Sequence, residues 1–206
     1  MDTNSGYKDR AISSLSGNWG NGAIATLMVY AISGIPTYTI AVSAGEEAWG
    51  NLGSLWSLLM LPLGWGLTIF FLSIARTEKP ELGHIFDGFK EFWRIFSTLF
   101  VRNLLICLWS LLLVIPGIIK TYSYAMTDYI LKDHPEMGVN ESIELSMAMM
   151  KGHKMDLFLL HLSFIGWLIL TFFTLGLGFL LLYPYFSTAQ ALFYEDLKEE
   201  FEMKKY

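Results

Sequence analysis

IFSTLFVRNLLICLWSLLLVI (residues 95–115) and, after Pro116, GIIKTYSYAMTDYIL (residues 117–131) form the stretch whose reading decides the fold. The first string is apolar over the ~20 residues that a helix needs to cross a bilayer. The second is shorter and carries Lys120, Ser123, Thr127 and Asp128, so apolarity alone does not make it a span. Pro116-Gly117 between them predicts a short turn and two antiparallel neighbours.

Charge placement settles the second string. Four further apolar runs, about 23–44, 52–75, 155–174 and 177–194, approach or exceed spanning length. Twelve of the 14 Lys and Arg residues fall in segments 1–22, 76–94, 132–154 and 195–206, and none in the connections 45–51, 116–117 and 175–176. If residues 117–131 cross, these two sets lie on opposite faces, and the positive-inside rule puts both termini in the cytoplasm. If they do not, the basic segment 132–154 is stranded outside. The sequence therefore predicts an all-α membrane helix bundle of six spans, forming one domain over residues 1–206.

Composition agrees, since a chain of 206 residues that is 53% hydrophobic and 16% charged has more apolar surface than a soluble core of that length buries. The net charge of -5 does not oppose this, because orientation follows Lys and Arg placement rather than net charge. Cys107, the single cysteine, excludes an intramolecular disulfide and reads as a small packing residue. Lys8 and Arg10 before an apolar run, with Val42-Ser43-Ala44 resembling a cleavage site, suggest a signal peptide. The run is too long for a signal core, so a retained first span is expected.

The basic segments carry their own pattern. Ile85, Phe86, Phe89, Phe92, Trp93 and Phe96 recur at helical spacing, with Asp87, Lys90, Glu91 and Arg94 opposite them. Such a pattern predicts a helix lying in the membrane interface. Weaker versions occur at Tyr7, Ala11, Ile12 and Leu15 and at Val139, Ile143, Met147 and Met150. Interfacial helices are thus expected at about 5–17, 82–93 and 138–150, each preceding a hairpin of two spans. Leu61-Pro62-Leu63-Gly64, Ile115-Pro116-Gly117-Ile118 and Gly176-Leu177-Gly178, with Tyr122-Ser123-Tyr124 echoing Tyr183-Pro184-Tyr185, suggest a threefold internal repeat of parallel units.

Several strings occur together: Ile85-Phe86-Asp87-Gly88-Phe89, Ile115-Pro116-Gly117-Ile118-Ile119-Lys120, Met150-Lys151-Gly152-His153-Lys154, Leu162-Ser163-Phe164-Ile165-Gly166-Trp167 and Phe193-Tyr194-Glu195-Asp196. They resemble the bacterial membrane-protein family called domain of unknown function 975, over about residues 52–197, with Gly17-Asn18-Trp19-Gly20 as an N-terminal piece. His134 stands where that pattern has Asn. The resemblance implies a multi-span bacterial membrane protein and brings no activity or catalytic residues.

Charged groups inside spans are costly and are the first functional candidates. Arg102, Asp128 and His161, with Tyr124, form a candidate polar cluster in the cytoplasmic half. Counted from the turn, Arg102 lies fourteen residues before Pro116 and Asp128 eleven after Gly117. That stagger is roughly 4.5 Å at helical rise, so an ion pair is expected. The cluster reads either as a vestibule for an anion or proton, or as a pair that fixes helix packing. Tyr122, Tyr124, Tyr183 and Tyr185, with Ser187, Thr188 and Gln190, give polar stripes that line a cavity or bond between helices. Pro36, Pro62 and Pro184 are expected to kink or break spans. Lys120, near the outer boundary, is expected to reach lipid headgroups, as are Lys151, His153 and Lys154 on the cytoplasmic side.

Enzyme signatures are missing: His84, His134, His153 and His161 lack metal-ligand spacing, and no glycine pair has a phosphate-loop context. No cofactor, metal, catalytic residue or nucleic-acid partner is expected. The leading expectation is a non-enzymatic protein of the cell membrane that engages lipid or a membrane-protein partner. The alternative is a small transporter or channel with a polar cavity in its cytoplasmic half.

Overall fold

A computed structural model of the chain describes residues 1–48, 52–174 and 176–204. The described residues are helical, without a strand. The connections at 45–51 and 175–176 lie partly outside them. In chain order the helices are α1 Asn4–Leu15, α2 Trp19–Ala48, α3 Ser54–Leu59, α4 Leu61–Ala75, a 3-10 segment Leu82–Phe89, α5 Phe92–Leu112, α6 Val114–Ser123, α7 Thr127–Asp133, α8 Val139–Met149, α9 Lys154–Leu162, α10 Ile165–Phe173 and α11 Phe179–Met203.

The packing is cyclic. α1 lies along α11, the 3-10 segment along α4, and α8 along α7 and α5, so each short helix docks on the helical pair that precedes its own. For α1 that pair is the last one. α4 packs against both α11 and α7, while α2, α5 and α9 each touch one neighbour in their own pair and one in the pair before. An inner set (α4, α6–α7, α11) is thereby ringed by an outer set (α2, α5, α9–α10). This order matches the repeat of short helix plus pair read from the sequence.

Three of the pairs' arms are broken, one of them beside Pro62 as the sequence suggested and two where it suggested continuous helices. α3 gives way to α4 at Met60, next to Pro62, which lacks the N–H that would continue the ladder. α6 gives way to α7 over residues 124–126, and there Ser146 of α8 accepts from the Met126 N–H (3.2 Å) and donates to the Ser123 carbonyl (3.0 Å). α9 gives way to α10 at residues 163–164, and Lys8 of α1 donates to the Ser163 carbonyl at 2.7 Å. Each break frees backbone groups that need partners, and at the last two distant side chains supply them. α2 and α11 continue through Pro36 and Pro184.

The segment expected as one interfacial helix over 82–93 is instead 3-10 wound to Phe89, turns at Lys90–Glu91 and enters α5 at Phe92. Close backbone contact with α4 holds it there. A Cβ on Gly66 would lie 1.9 Å from the Ile85 carbonyl oxygen, and one on Gly88 would lie 2.3 Å from that of Pro62. Ile85 is fully buried, while Phe86 and Phe89 stay exposed. Phe92 and Trp93 belong to α5, where Phe89, Phe92, Phe96 and Phe100 stack in a ladder at 5.3 to 6.2 Å.

Burial is uneven along the bundle. Tyr7, Leu63, Phe70, Phe71, Ile85, Met126, Tyr129, Leu157, Phe193 and Tyr194 form a closed core near the basic segments. Toward the other end, Ile35, Tyr38, Leu55, Leu111 to Ile115, Trp167 to Leu170 and Leu177 are exposed. Two stretches, Phe92–Leu112 and Lys154–Thr171, are long and apolar enough to cross a bilayer, and only 17% of each is buried. A core helix of a soluble protein is mostly buried; these two present their apolar side chains outward.

Candidate functional site

The α5–α6 turn sets the site. It falls at Leu113, whose backbone is extended, three residues before the expected Pro116-Gly117; Pro116 sits inside the first turn of α6. Proline is at home there because the first helical N–H groups have no ladder partner. Gly117 brings α6 against α5, since a Cβ on it would lie 2.8 Å from the Ser110 Cα. The close antiparallel pair carries Arg102 and Asp128 to the same level, and their side chains form an ion pair. The two side chains are 17% and 21% exposed, which shields the pair without sealing it. Asn103 Oδ1 accepts from the Arg102 Nε and Nη2 at 3.3 Å each, and Trp65 of α4 donates to the Asp128 carbonyl at 2.8 Å.

A cleft lies on each side of this pair. One, of about 310 Å³, is half-open and draws its polar lining from Arg102, Asn103, Tyr122, Asp128, His161 and Gln190. The other, of about 240 Å³, reaches Ser33 and Ser57 beside Trp65 and the same ion pair. In the larger cleft the Tyr122 hydroxyl and His161 Nδ1 are 3.4 Å apart, and His161 Nε2 is buried with no hydrogen bond, facing Gln190. Tyr124 is buried and lines the cleft too. The structure thus gathers Arg102, Asp128, His161 and Tyr124 around one space.

The Lys120 ammonium lies over the Trp109 ring (5.1 Å) and the Tyr124 ring (5.5 Å), and 3.8 Å from Met147 Sδ of α8. The residue is half-buried, and aromatic faces and a soft sulfur cover part of its side chain. His153 is held by Glu200 at 3.3 Å and Asp156 at 3.2 Å. It lines a surface cavity of about 390 Å³ together with Lys151, which is exposed. Lys154 opens α9, half-buried. Among the described residues, no three His, Cys, Asp or Glu side chains converge as metal ligands would.

A second polar cluster escaped the sequence reading. Where α4 and α7 end beside α11, Arg76 Nη2 contacts Asp133 at 2.7 Å and Glu195 at 2.8 Å, while Lys198 and the Tyr194 hydroxyl each reach Asp133 Oδ2 at 2.8 Å. Arg10 of α1 adds a bond to Asp196 at 2.9 Å. Burial would raise the Asp133 pKa, but the bonds from Arg76, Lys198 and Tyr194 outweigh it and hold the carboxyl down at about 2. Arg76 is desolvated as well, yet its two carboxylates raise its pKa further. The chain reverses just beyond Arg76 at Thr77, a non-glycine residue with φ of 57°. Individually these residues look like ordinary flanking charges, and only the string Tyr194-Glu195-Asp196 hinted at more.

Neither the curated proteins nor the solved structures contain a match to this chain. Residues 111–200 match a family model described as Protein of unknown function (DUF975). That stretch, somewhat under half of the chain, runs from the α5–α6 turn through Asp128, Asp133, His161 and Glu195. The matched part holds the acidic partners of both polar clusters.

Proposed function

We propose that the chain is a non-enzymatic protein of the cell membrane, with six spans, three parallel repeats about an axis along the membrane normal, and both termini in the cytoplasm. It engages lipid. The observation that carries this reading is the uneven burial: apolar side chains are turned outward over one half of the bundle, while the charged networks and short amphipathic helices gather at the other. Lipid is the solvent that suits the first half, and a headgroup layer suits α1, the 3-10 segment and α8.

The clefts beside Arg102 and Asp128 favour a second reading, a small transporter or channel. Reconstitution separates the two. Proteoliposomes should retain the protein through an alkaline carbonate wash and leak protons and small anions no faster than empty vesicles. Release by the wash contradicts membrane embedding, and a leak abolished by closing the cleft with Asn103→Trp supports transport.

A further inference from the structure

We propose that the larger cleft binds a zwitterion carrying a primary ammonium and a phosphate, the ammonium on Asp128 and the phosphate on Arg102. This inference rests on the lipid-engaging reading and names its ligand. The argument starts from charge balance. Arg102 and Asp128 form an ion pair with no other ionised partner in the cleft, so the site is neutral as a whole. A net anion drawn to Arg102 would also meet the Asp128 carboxylate, and a net cation would meet the guanidinium. In a poorly solvated site either arrangement leaves a charge without compensation, which is the costly outcome. A zwitterion inserted into the pair gives each charge a partner of opposite sign and leaves the total unchanged.

The uncharged groups fit the same ligand. The Asn103 amide, whose oxygen accepts from Arg102, lines the cleft, and Gln190 offers another amide. His161 Nε2 is buried without a hydrogen bond in the same lining. These groups complement phosphate oxygens and ammonium hydrogens. A primary ammonium can donate to Asp128, whereas a quaternary one cannot. Ile106 and Ala125 add an apolar wall beside these polar groups, suited to the carbon portion of such a ligand. The chemistry is shared by a phosphoethanolamine lipid headgroup and by free phosphoethanolamine.

The test uses the full-length protein in nanodiscs of phosphatidylcholine, doped with phosphatidylethanolamine or phosphatidylglycerol, and reads lipid retained on the protein after detergent exchange, with its thermal unfolding. Phosphatidylethanolamine should be retained and should raise the unfolding temperature, while phosphatidylglycerol should do neither. The double variant Arg102→Gln/Asp128→Asn removes both charges and strands neither. It should lose affinity for phosphatidylethanolamine by roughly tenfold or more while remaining folded. Competition by free phosphoethanolamine would make the soluble zwitterion a ligand of the same site, and its failure to compete would confine the ligand to lipid. Equal retention of all three lipids, or undiminished retention by the folded double variant, overturns the proposal. Because these lipid comparisons need no variant, they remain decisive if the double variant misfolds. Either overturning result leaves membrane embedding, tested by the carbonate wash, untouched.

Discussion

The two ends of the bundle obey different rules. At the basic end α4, α7 and α11 converge on fully buried Phe70, Ile130 and Phe193, and the ends of α4 and α7 are tied to the side of α11 by Arg76, Asp133, Tyr194 and Lys198. At the far end α5 exposes Leu111 at 78% and α10 exposes Phe173 equally. Side chains of the same apolar character are thus core at one end and surface at the other. On the proposed membrane reading the surrounding medium differs: apolar contact drives packing where water competes, and it loses that role in lipid, where the tails are as apolar as leucine. Strong, specific interactions should therefore concentrate at the basic end.

Substitutions at the two ends put that contrast at risk. The largest effect is expected at Asp133, 8% exposed and holding two cations and a tyrosine hydroxyl. Asp133→Ala should cost about 3 kcal/mol, because it removes the carboxylate that Lys198 and Tyr194 share and leaves Arg76 with Glu195 alone. Removing Asp87, whose partner Lys90 is exposed, should cost under about 1 kcal/mol. Reversible unfolding in bicelles gives both numbers, and equal costs would dissolve the distinction. The Asp133 carboxyl also has a lowered pKa in the folded state, so its contribution is present above the ordinary carboxylate range. That contribution is lost as pH falls from about 4 toward about 2. Asp133→Asn should flatten this part of the pH–stability profile.

Gly66 and Gly64 sharpen the comparison within a single helix. A Cβ on Gly66 meets the Ile85 backbone at 1.9 Å, and one on Gly64 meets nothing within 4 Å. Gly66→Ala should destabilise by about 1–3 kcal/mol or more, because backbone cannot give way as a side chain can. Gly64→Ala should stabilise by about 0.5–1 kcal/mol through helix propensity. The same sign for both would mean that the 3-10 segment does not rest on α4. Replacing Leu108 by Asp, at the exposed end of α5, should cost up to about 3 kcal/mol in a bilayer. Water-facing exposure would make it nearly neutral. A small effect is also expected for Thr77→Gly, which should stabilise by about 1 kcal/mol or less by relieving a left-handed backbone on a branched residue.

What the sequence revealed followed from regular spacing. The helical character, the three short amphipathic segments and the common level of Arg102 and Asp128 can all be counted along the chain, because periodicity and helical rise are local properties. The α5–α6 turn was displaced by three residues, yet Asp128 still met Arg102, since a long arginine side chain tolerates that offset. The breaks after Ser123 and at Ser163 were illegible because Ser146 and Lys8 satisfy them from elsewhere in the chain. Arg76, Asp133 and Lys198 were hidden for the same reason: each resembles a flanking charge until the ends of α4 and α7 meet the side of α11. The 3-10 winding at 82–89 depends on Gly66 of another helix, which no local pattern encodes.

The central claim is that the basic segments share one side of a membrane. Its most direct test replaces Cys107 with serine, introduces single cysteines at Glu47 and Lys151, and treats intact cells with a membrane-impermeant maleimide. The account predicts labelling at position 47 in intact cells and at position 151 only after permeabilisation. Labelling of both positions in intact cells would remove the crossing at residues 117–131 and contradict the six-span arrangement.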